Sequence, residues 1–397
     1  MAEFNPNPRT APTLVTSTRG PENQNSARVV VDMEDEILLY QPEATPLLTL
    51  TGRMRKKREA VNYRFEYLEK DEMPRSLEVT AAQDSNDTSI SVVAGEETRV
   101  GIGSVVINLR TGENILVNAL PTSGSLGTVV RGIGGGAANI EVGDVLLAAF
   151  NAYEDGAGLG PLKSIQEFNY YNFTQIIRTP FGFTGRDLQT ELYGGRDEMT
   201  ETKWQAIEHK KSIEYAMGFG KRHTRTGTTH LQTFTGGVDS WITTNRWNVE
   251  GVSLTERAFV DFLEVAMKWG KGGNQNGSGT KYLLASSRWL TEINAWVGDR
   301  LRYKPIDEKI GFSAMEYASP HGNVELLRWP LLDYFHPDRA FLLDLNHIRY
   351  VYLRGRDTKL FLDRQANDID GKTNEYISDC GVQVNFEHAH AALFGLA

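Results

Sequence analysis

The sequence predicts a mixed α+β fold, and three observations support this class. A helical pattern without proline runs from 197 to 222. Alternating polar and apolar residues at 61–67, and an aromatic-rich stretch at 167–181, predict two strands that pair with each other. Beyond the helix, short apolar runs alternate with amphipathic stretches, which is typical of strands and helices in a mixed domain.

The N-terminal part of the chain predicts an arm without a core of its own. Residues 1–27 contain four prolines among Asn, Thr and Ser and only one aromatic residue. A segment of this composition buries too little apolar surface to fold alone. Residues 29–50 place short apolar clusters between acidic residues and two prolines. We therefore expect this second part to dock on another surface.

A basic run at 53–58 has two interpretations. It contacts a polyanion, or it is a solvated or ion-paired stretch beside the acidic segment. The net charge of −9 favours the second, because the chain lacks the overall positive charge that grips phosphates. The same charge predicts no tight non-specific binding to DNA.

A compositional island lies between the two paired strands. Residues 85–149 contain no aromatic residue, Lys, His, Met or Cys, but they contain eleven glycines and several β-prone runs. We predict a small all-β unit inserted into a long hairpin. Its segment 131–144 superficially matches a glycine-rich phosphate loop, but it leads to another strand and not to the helix N-terminus that a dinucleotide site needs. A mobile hairpin tip is the favoured interpretation.

The stretch from 197 to 222 predicts one amphipathic helix. Charged residues, with Glu214 among them, are assigned to its outer faces, and acids near its start and bases near its end suit the helix dipole. The predicted apolar side is formed by Met199, Trp204, Ala206, Ile207, Ile213 and Met217.

A second helix is predicted for 253–270, where Ser253 and Glu256 have the spacing of a capping box. The polar, glycine-rich stretch 270–280 predicts a flexible exposed loop. The predicted apolar face of the helix 253–270 is formed by Phe259, Phe262, Leu263, Ala266 and Met267. The following elements are a strand in KYLLAS, a helix from about Ser287, strands in GNVELLRWP, RAFLLDL, IRYVYLRG and KLFLDRQ, and a final strand with Val382, Val384, Phe386 and His388 on one face.

No group of residues predicts a catalytic, cofactor-binding or metal site. Polar residues cluster around RAFLLDL, but their spacing matches no ligand pattern and favours turns and strand ends. They are Asp333, His336, Asp338, Asp344 and His347. His388 and His390 are expected on one face of the last strand, where two imidazoles alone make a weak metal site. The single cysteine, Cys380, excludes an internal disulfide.

A partial match to a calcium-binding loop lacks two of the acidic residues that such a loop needs. It is suggested by Asn367, Asp368, Asp370 and Gly371. The loop would need acidic residues at the positions of Ala366 and Ile377.

The N-terminus has no apolar stretch typical of a secretory signal, and no run is long enough to span a bilayer, so we expect a protein that stays soluble where it is made.

Taken in order, these segments resemble the major capsid proteins of tailed bacteriophages, which have the Hong Kong 97-type fold. The resemblance runs from about Val29 to the C-terminus. It is carried by ATPLLTLTGRMRK in the arm, NFTQIIRTPFGFTGRDLQTELYGGRDEM before the long helix, KYLLASSRWLTEINAW, and the tail GVQVNFEHAHAALFGL.

The resemblance implies five regions. They are an N-terminal arm (1–59), an extended loop (60–84 and 151–186), an inserted small β domain (85–150), a peripheral domain with the long spine helix (187–235 and 357–397), and an axial domain (236–356). It also implies a structural, non-enzymatic protein that self-assembles as hexamers and pentamers into an icosahedral virion shell around double-stranded DNA. Assembly is then expected in the host cytoplasm.

Further partners that the resemblance implies are scaffolding, portal and decoration proteins. No cofactor, no membrane contact and no covalent link between neighbours is expected. Deleting 1–27 or the island is expected to leave a soluble subunit that assembles poorly. The alternatives are a bacterial encapsulin-like nanocompartment shell, a tail or baseplate component, and a β-rich hydrolase that uses Asp338 or Asp344.

Overall fold

A computed structural model describes residues 45–53, 56–158, 162–190, 197–250, 254–268, 280–296, 301–303 and 315–396. The helices in these ranges are α1 (Pro46–Arg53), α2 (Gly185–Gln189), α3 (Asp197–Phe219), α4 (Val238–Trp241), α5 (Glu256–Met267), α6 (Ser287–Trp296) and α7 (Pro330–Phe335). The strands are β1 (Lys57–Ala60), β2 (Arg64–Glu69), β3 (Ser76–Glu78), β4 (Ser89–Ser91), β5 (Ser104–Asn108), β6 (Asn114–Val117), β7 (Ser125–Val130), β8 (Val145–Asn151), β9 (Phe168–Phe173), β10 (Gln175–Thr184), β11 (His223–Thr226), β12 (Leu231–Phe234), β13 (Arg246–Asn248), β14 (Thr280–Ala285), β15 (Leu301–Tyr303), β16 (Met315–Ser319), β17 (Gly322–Arg328), β18 (Ala340–Leu343), β19 (Ile348–Leu353), β20 (Lys359–Phe361), β21 (Gly371–Val384) and β22 (Ala391–Phe394).

The chain divides into two compact units. Unit 1 comprises Met1–Phe65 and Asn172–Ala397, and unit 2 comprises Glu66–Tyr171. The seven helices α1–α7 belong to unit 1, whereas unit 2 is built from strands and a short 3-10 turn. The predicted α+β class is therefore confirmed. The strands β2 and β9 pair as a two-stranded ribbon, as predicted for 61–67 and the first part of 167–181. The second part of 167–181 lies in β10, which pairs with β21 and not with β2.

Unit 2 contains a closed antiparallel sheet. Its strands follow the order β3-β8-β5-β6-β7-β4, and a bridge between Val79 and Val92 joins the two ends. Closure removes the exposed edges of an open sheet. The core is entirely aliphatic and consists of Leu77, Val79, Ile90, Val92, Val100, Val106, Ile115, Val117, Leu126, Val129, Ile140 and Leu146. The predicted small all-β unit is thus present. Its first strand, β3, begins at Ser76, nine residues before the predicted start of the island at residue 85.

Unit 1 contains one sheet of five strands and one of seven. In the first, the strand order is β1-β19-β21-β10, with β20 also paired to β21. The last two residues of the predicted basic run, Lys57 and Arg58, begin β1, which lies parallel to β19. There Lys57 Nζ lies 3.2 Å from Asp357 Oδ2, and Arg58 donates to Gln383 at 2.7 Å. Lys57 is therefore ion-paired, in agreement with the second interpretation, whereas the bond from Arg58 is to a neutral amide.

The second sheet of unit 1 has the order β13-β22-β18-β14-β17-β16-β15. Both of its faces are covered. Leu283 of β14 packs with α5 and α6, whereas its neighbour Leu284 packs into the core that also contains residues of α1, α3 and the first sheet. Because alternate residues point to opposite faces, burial on both sides explains the unbroken apolar run of β14.

The predicted elements of this region are present with shifted ends. Helix α5 begins at Glu256, and its N-cap is Thr255, whose hydroxyl accepts a hydrogen bond from the Ala258 amide at 3.3 Å. Ser253 of the predicted capping box lies outside the described residues, as does all but the last residue of the predicted loop 270–280. Phe259, Leu263, Ala266 and Met267 are buried as predicted.

The long helix α3 is confirmed, but two of its side-chain assignments are wrong. The helix ends at Phe219 and not at Arg222. Met199, predicted on the buried side, is 65% exposed, whereas Glu214, predicted on an outer face, is fully buried. The reason lies outside the helix, because α1 packs over Glu214 and nothing described packs over Met199. In this core, Leu47 and Leu50 of α1 join Ile213 and Met217 of α3.

The C-terminal strand is broken, which corrects the prediction of one continuous strand. β21 ends at Val384, Phe386 has a φ of 51°, and a 3-10 turn follows at Glu387–Ala389. The left-handed backbone at Phe386 ends the alternation, so that β22 can join the second sheet instead of the first. The tail therefore links the two sheets of unit 1.

The N-terminal docking segment is described only from Thr45 onward. This part docks on the chain's own long helix, through Leu47 and Leu50. Residues 1–44 of the predicted arm lie outside the described residues.

Candidate functional site

The glycine-rich loop between β7 and β8 encloses a carboxylate of its own chain. Arg131 donates from Nε and Nη2 to Glu113 at 2.7 and 2.8 Å, and the amides of Gly132 and Ala138 donate to the same carboxylate at 2.9 and 3.2 Å. Burial opposes ionisation, yet the Arg131 bonds and the two amides lower the pKa of Glu113 below its usual value. An internal anion thus occupies the position that a phosphate would need.

A second arginine–carboxylate pair stabilises the same loop at its far end. Arg110 donates from Nε and Nη2 to the two oxygens of Asp144 at 2.7 and 2.9 Å. Asn108 donates to Asp144 at 3.0 Å. Chiefly because of the Arg110 bond, the pKa of Asp144 lies well below its usual range. The predicted phosphate-loop-like segment is therefore held at both ends by internal ion pairs and is a structural part of unit 2.

Glu214 joins the start of α1 to the middle of α3. Its oxygens accept the amide hydrogens of Leu47 at 2.8 Å and Leu48 at 2.7 Å. These two amides have no partner within their own helix, so the carboxylate caps α1 from a distant part of the sequence. Burial raises the pKa of Glu214 to about 8, although both amide bonds act against the rise.

Lys281 of β14 and His390, which directly precedes β22, form a buried polar cluster in the second sheet of unit 1. Lys281 Nζ donates to the carbonyls of Ala266 at 2.6 Å and Ala389 at 2.7 Å. The Asp344 amide donates to His390 Nδ1 at 3.2 Å. Burial lowers the pKa of Lys281 to about 8 and that of His390 to about 4. His388 lies in the 3-10 turn, so the prediction that both histidines share one strand face is wrong.

The remaining polar residues singled out in the sequence stabilise turns. Asp333 accepts from the amide and the hydroxyl of Ser287, at 2.5 and 2.9 Å, and so links α7 to α6. The carbonyl of Asp338 accepts from Trp289 at 2.9 Å, the His336 ring lies 4.7 Å from the Phe219 ring at a tilt of 42°, and His347 Nε2 lies 3.7 Å from Asp344. They do not converge on one site.

The calcium-loop pattern precedes and enters β21. The carbonyl of Asp370 accepts from the amide of Gly185 at 3.2 Å, at the start of α2. Among the described residues, no group of three or more His, Cys, Asp and Glu side chains is arranged to hold a metal ion. The described helices include none with the length and apolar character needed to cross a membrane.

Two polar positions important for the architecture were not predicted. One is Glu214. The other is Asn172, which is fully buried and donates to the carbonyls of Gly236 at 2.9 Å and Val382 at 2.7 Å, while its Oδ1 accepts from the Gly236 amide at 2.8 Å. A detectable signal for Asn172 is its position inside the aromatic run FNYYNF, where an amide needs several internal partners.

The ribbon and the residues that lead into it expose large apolar side chains. The rings of Tyr67 and Tyr170 stack across the ribbon with centroids 6.1 Å apart. A two-stranded ribbon has little core of its own, and clustered exposed apolar groups mark interaction surfaces. The exposed residues of the ribbon in unit 2 are Leu68, Phe168 and Tyr170. Val61 and Tyr63, which precede the ribbon, are exposed in unit 1.

Three comparisons with known proteins bear on this arrangement. The model of the family described as "SU10 major capsid protein" matches residues 14–397. A curated major capsid protein of Pseudomonas phage PaMx41 is 25% identical over 307 residues, which cover 74% of this chain and 72% of the relative.

Solved structures that are similar to this chain include phage capsids and an encapsulin complex. The capsid of a native GTA particle has a TM-score of 0.49 at 9% identity, and 95% of this chain and 98% of that one are covered. For Mycobacterium phage Bobi the TM-score is 0.47 at 7% identity, with 93% and 96% covered. The SrpI encapsulin of Synechococcus elongatus PCC 7942 has a TM-score of 0.39 at 10% identity, with 58% and 76% covered.

Proposed function

The chain belongs to the SU10 major capsid protein family, and from this premise we propose that its copies assemble into the closed icosahedral shell of a tailed phage, around double-stranded DNA. The observation that carries the proposal is the family match over residues 14–397. The chain is a structural protein of a phage capsid, in agreement with the resemblance found in its sequence.

The exposed ribbon supports assembly into a shell. Leu68 is 63% exposed and Phe168 is 51% exposed, although both lie in strands. Burying them against a neighbouring copy gains about 25 cal/mol per Å² of apolar surface. Many such modest contacts, each repeated in every copy, hold a closed shell together.

We assign the regions of the shell protein as follows. Helix α3 is the spine, and the peripheral domain comprises 187–235 and 357–397. The axial domain is 236–356, the extended loop is 60–84 and 151–186, the inserted β domain is 85–150, and the arm is 1–59. The second sheet of unit 1 supports the axial assignment, since six of its seven strands come from 236–356. The first sheet is shared between regions, and only β20 and β21 of its five strands come from the peripheral region.

The charge of the chain supports a container that does not hold its genome tightly. With a net charge of −9, the protein has no surplus of cations to neutralise packed phosphates. Hexamers and pentamers of this chain form the shell, and assembly takes place in the host cytoplasm. Scaffolding, portal and decoration proteins act as separate partners.

Electron microscopy of the purified full-length protein tests the proposal. Closed particles are expected from the unsubstituted chain, and few or none from the double variant Leu68→Ser/Phe168→Ser. The matched control is Leu120→Ser, which removes an equally exposed leucine (66%) from unit 2. Rings or tubes would favour a tail component, and an enzyme found inside particles produced in the native host would favour a nanocompartment.

A further inference from the structure

His209 joins α3 to two strands of the first sheet of unit 1. Its ring Nδ1 lies 2.8 Å from the hydroxyl of Thr179 on β10, and its Nε2 lies 2.7 Å from the hydroxyl of Ser378 on β21. His209 is only 1% exposed, and Ser378 is fully buried. The imidazole is therefore a polar joint inside the contact between the long helix and the antiparallel pair of β10 and β21.

The joint is part of a chain of hydrogen bonds that suits a neutral ring. The hydroxyl of Ser378 also lies 2.7 Å from that of Thr358, so three hydroxyls and one imidazole are linked in series. A neutral imidazole donates from one nitrogen and accepts at the other, whereas a protonated one donates from both. On protonation, the flanking hydroxyl that donated to the ring must turn and lose its acceptor. Protonation thus rearranges the chain.

The surroundings of the ring offer no counter-ion for a positive charge. Among the residues that the structure describes, no carboxylate forms an ion pair with His209. Glu375 and Asp379 alternate with Ser378 along β21 and so point to the other face of the sheet. The acids of the neighbouring segments are already paired with bases, as Glu375 with Arg178, Asp379 with Arg356, Asp357 with Lys57, and Glu208 with Lys211.

The other titratable side chains near the joint are uncharged. Burial raises the pKa of Tyr376 and of Cys380, which share the inner face of β21 with Ser378, and that of Tyr350 on β19. The Tyr376 ring stacks on the imidazole with centroids 5.8 Å apart. The attraction of a cation to such a ring is weaker than the cost of taking an unpaired ion out of water.

This environment determines the sign of the pH dependence. Burial lowers the pKa of His209 below its usual value of 6.5, because the charged form loses its hydration. The contribution of His209 to the contact is therefore complete above pH 6.5 and is lost as the pH falls below that value.

We propose that His209 is an acid-sensitive joint, at which protonation of the buried ring loosens α3 from β10 and β21. Near neutral pH the ring is uncharged, and its two hydroxyl bonds close the contact. In mildly acidic solution water stabilises the protonated ring better than the hydroxyls do, so the contact opens locally more often. The joint lies within a single subunit and operates whether or not copies assemble into a shell.

Hydrogen exchange of the full-length protein at pH 7.5 and pH 5, corrected for intrinsic chemical rates, tests the proposal. The quantity compared is the acid-induced increase in local opening at 205–216 and 175–182. It should be about tenfold larger in the unsubstituted chain than in His209→Gln, whose amide donates and accepts but cannot become charged. Equal increases in both proteins would overturn the proposal. Glu214 titrates in both proteins, so its opposite effect cancels in the comparison.

Two internal controls identify the origin of the increase. His230→Gln removes an exposed histidine between β11 and β12 and should retain the full increase. Unit 2 contains no histidine, so its amides should not share the increase. An increase of the same size in unit 2, or its loss in His230→Gln, would assign the effect to general acid destabilisation and not to the joint.

Thr179→Asp tests the missing counter-ion directly. Thr179 is only partly buried, so a carboxylate there remains partly hydrated, and it can pair with the protonated ring at Nδ1. Acid should then no longer increase the opening, whereas the uncharged control Thr179→Asn should retain the increase. An equal increase in the two variants would contradict the proposal. Particle formation is scored separately, so this result leaves the capsid proposal standing.

Discussion

Units 1 and 2 obtain their stability in different ways. Unit 2 is a closed sheet around an aliphatic core, and all of its strands β3–β8 come from one continuous segment. Unit 1 brings distant segments together, since its main core joins α1, α3, β19 and β21. It also encloses stacked aromatic rings, such as Trp329 on Phe219. From this difference we predict that unit 2 folds independently, whereas unit 1 depends on contacts between residues far apart in sequence.

The largest effect is expected from Trp289→Ala in unit 1. Trp289 is fully buried and donates to the Asp338 carbonyl, so the cavity and the lost hydrogen bond should cost about 3–5 kcal/mol. All seven tryptophans lie outside residues 66–171, so tryptophan fluorescence during urea unfolding reports on unit 1 alone.

The control for this experiment is Ile115→Ala in the core of unit 2, which should cost about 2–5 kcal/mol. We expect it to leave the fluorescence midpoint unchanged and to lower a separate transition seen by far-ultraviolet circular dichroism. If both substitutions lowered a single common transition, the two units would not unfold independently.

A smaller effect is expected from Arg131→Met in unit 2. The substitution leaves the Glu113 carboxylate buried without its cation, which should cost about 3 kcal/mol. The double variant Arg131→Met/Glu113→Gln removes the uncompensated charge and should recover part of the loss. Circular dichroism during urea unfolding measures both variants, and a double variant less stable than the single one would contradict this explanation.

Glu214 is expected to make the stability of unit 1 depend on pH. Its pKa is raised from the usual 4.5 to about 8 by burial, so its contribution is complete below pH 4.5 and declines as the pH rises through 8. The amides of Leu47 and Leu48 stabilise the ionised form, and the pKa of about 8 already includes their opposing effect.

The measurement is the urea midpoint of tryptophan fluorescence at pH 5 and pH 8.5, with Glu214→Gln as the matched control. The glutamine does not titrate, so this variant should lose less stability over the same interval. Equal pH dependence in both proteins would show that other groups are responsible.

The smallest effect is expected from Lys57→Ala in β1. The pair with Asp357 is solvent-exposed on both sides, with 46% and 34% of the side chains accessible, so its loss should cost about 0–1 kcal/mol. The cost should shrink further in 0.5 M salt, because salt screens exposed pairs. A salt-independent loss above 2 kcal/mol in a fluorescence-monitored melt would instead indicate packing of Lys57 over Tyr350.

Elements that depend on local patterns were predictable from the sequence. Helices α5 and α6 and strand β14 follow from apolar spacing within each segment, and the island's glycines and β-prone runs predicted unit 2. The long helix α3 was predicted, but its partner was not. A buried glutamate such as Glu214 has no local signal, because its burial depends on α1, which lies more than 160 residues away in sequence.

Two further errors have the same physical origin. The break after Val384 requires a positive φ at Phe386, a conformation that phenylalanine rarely adopts and that no neighbouring residue signals. Strand β1 consists of KREA, a sequence with little strand preference, and it forms because β19 lies beside it. In both places tertiary contacts override local preference.

The central claim is that this chain works as one of many copies in a closed shell. Sedimentation velocity of the purified full-length protein over a hundredfold range of concentration tests it most directly. We predict a discrete species with the mass of a closed particle of many chains, in equilibrium with or in place of free subunits. A single species with the mass of one chain, at every concentration and at both low and high salt, would contradict the account.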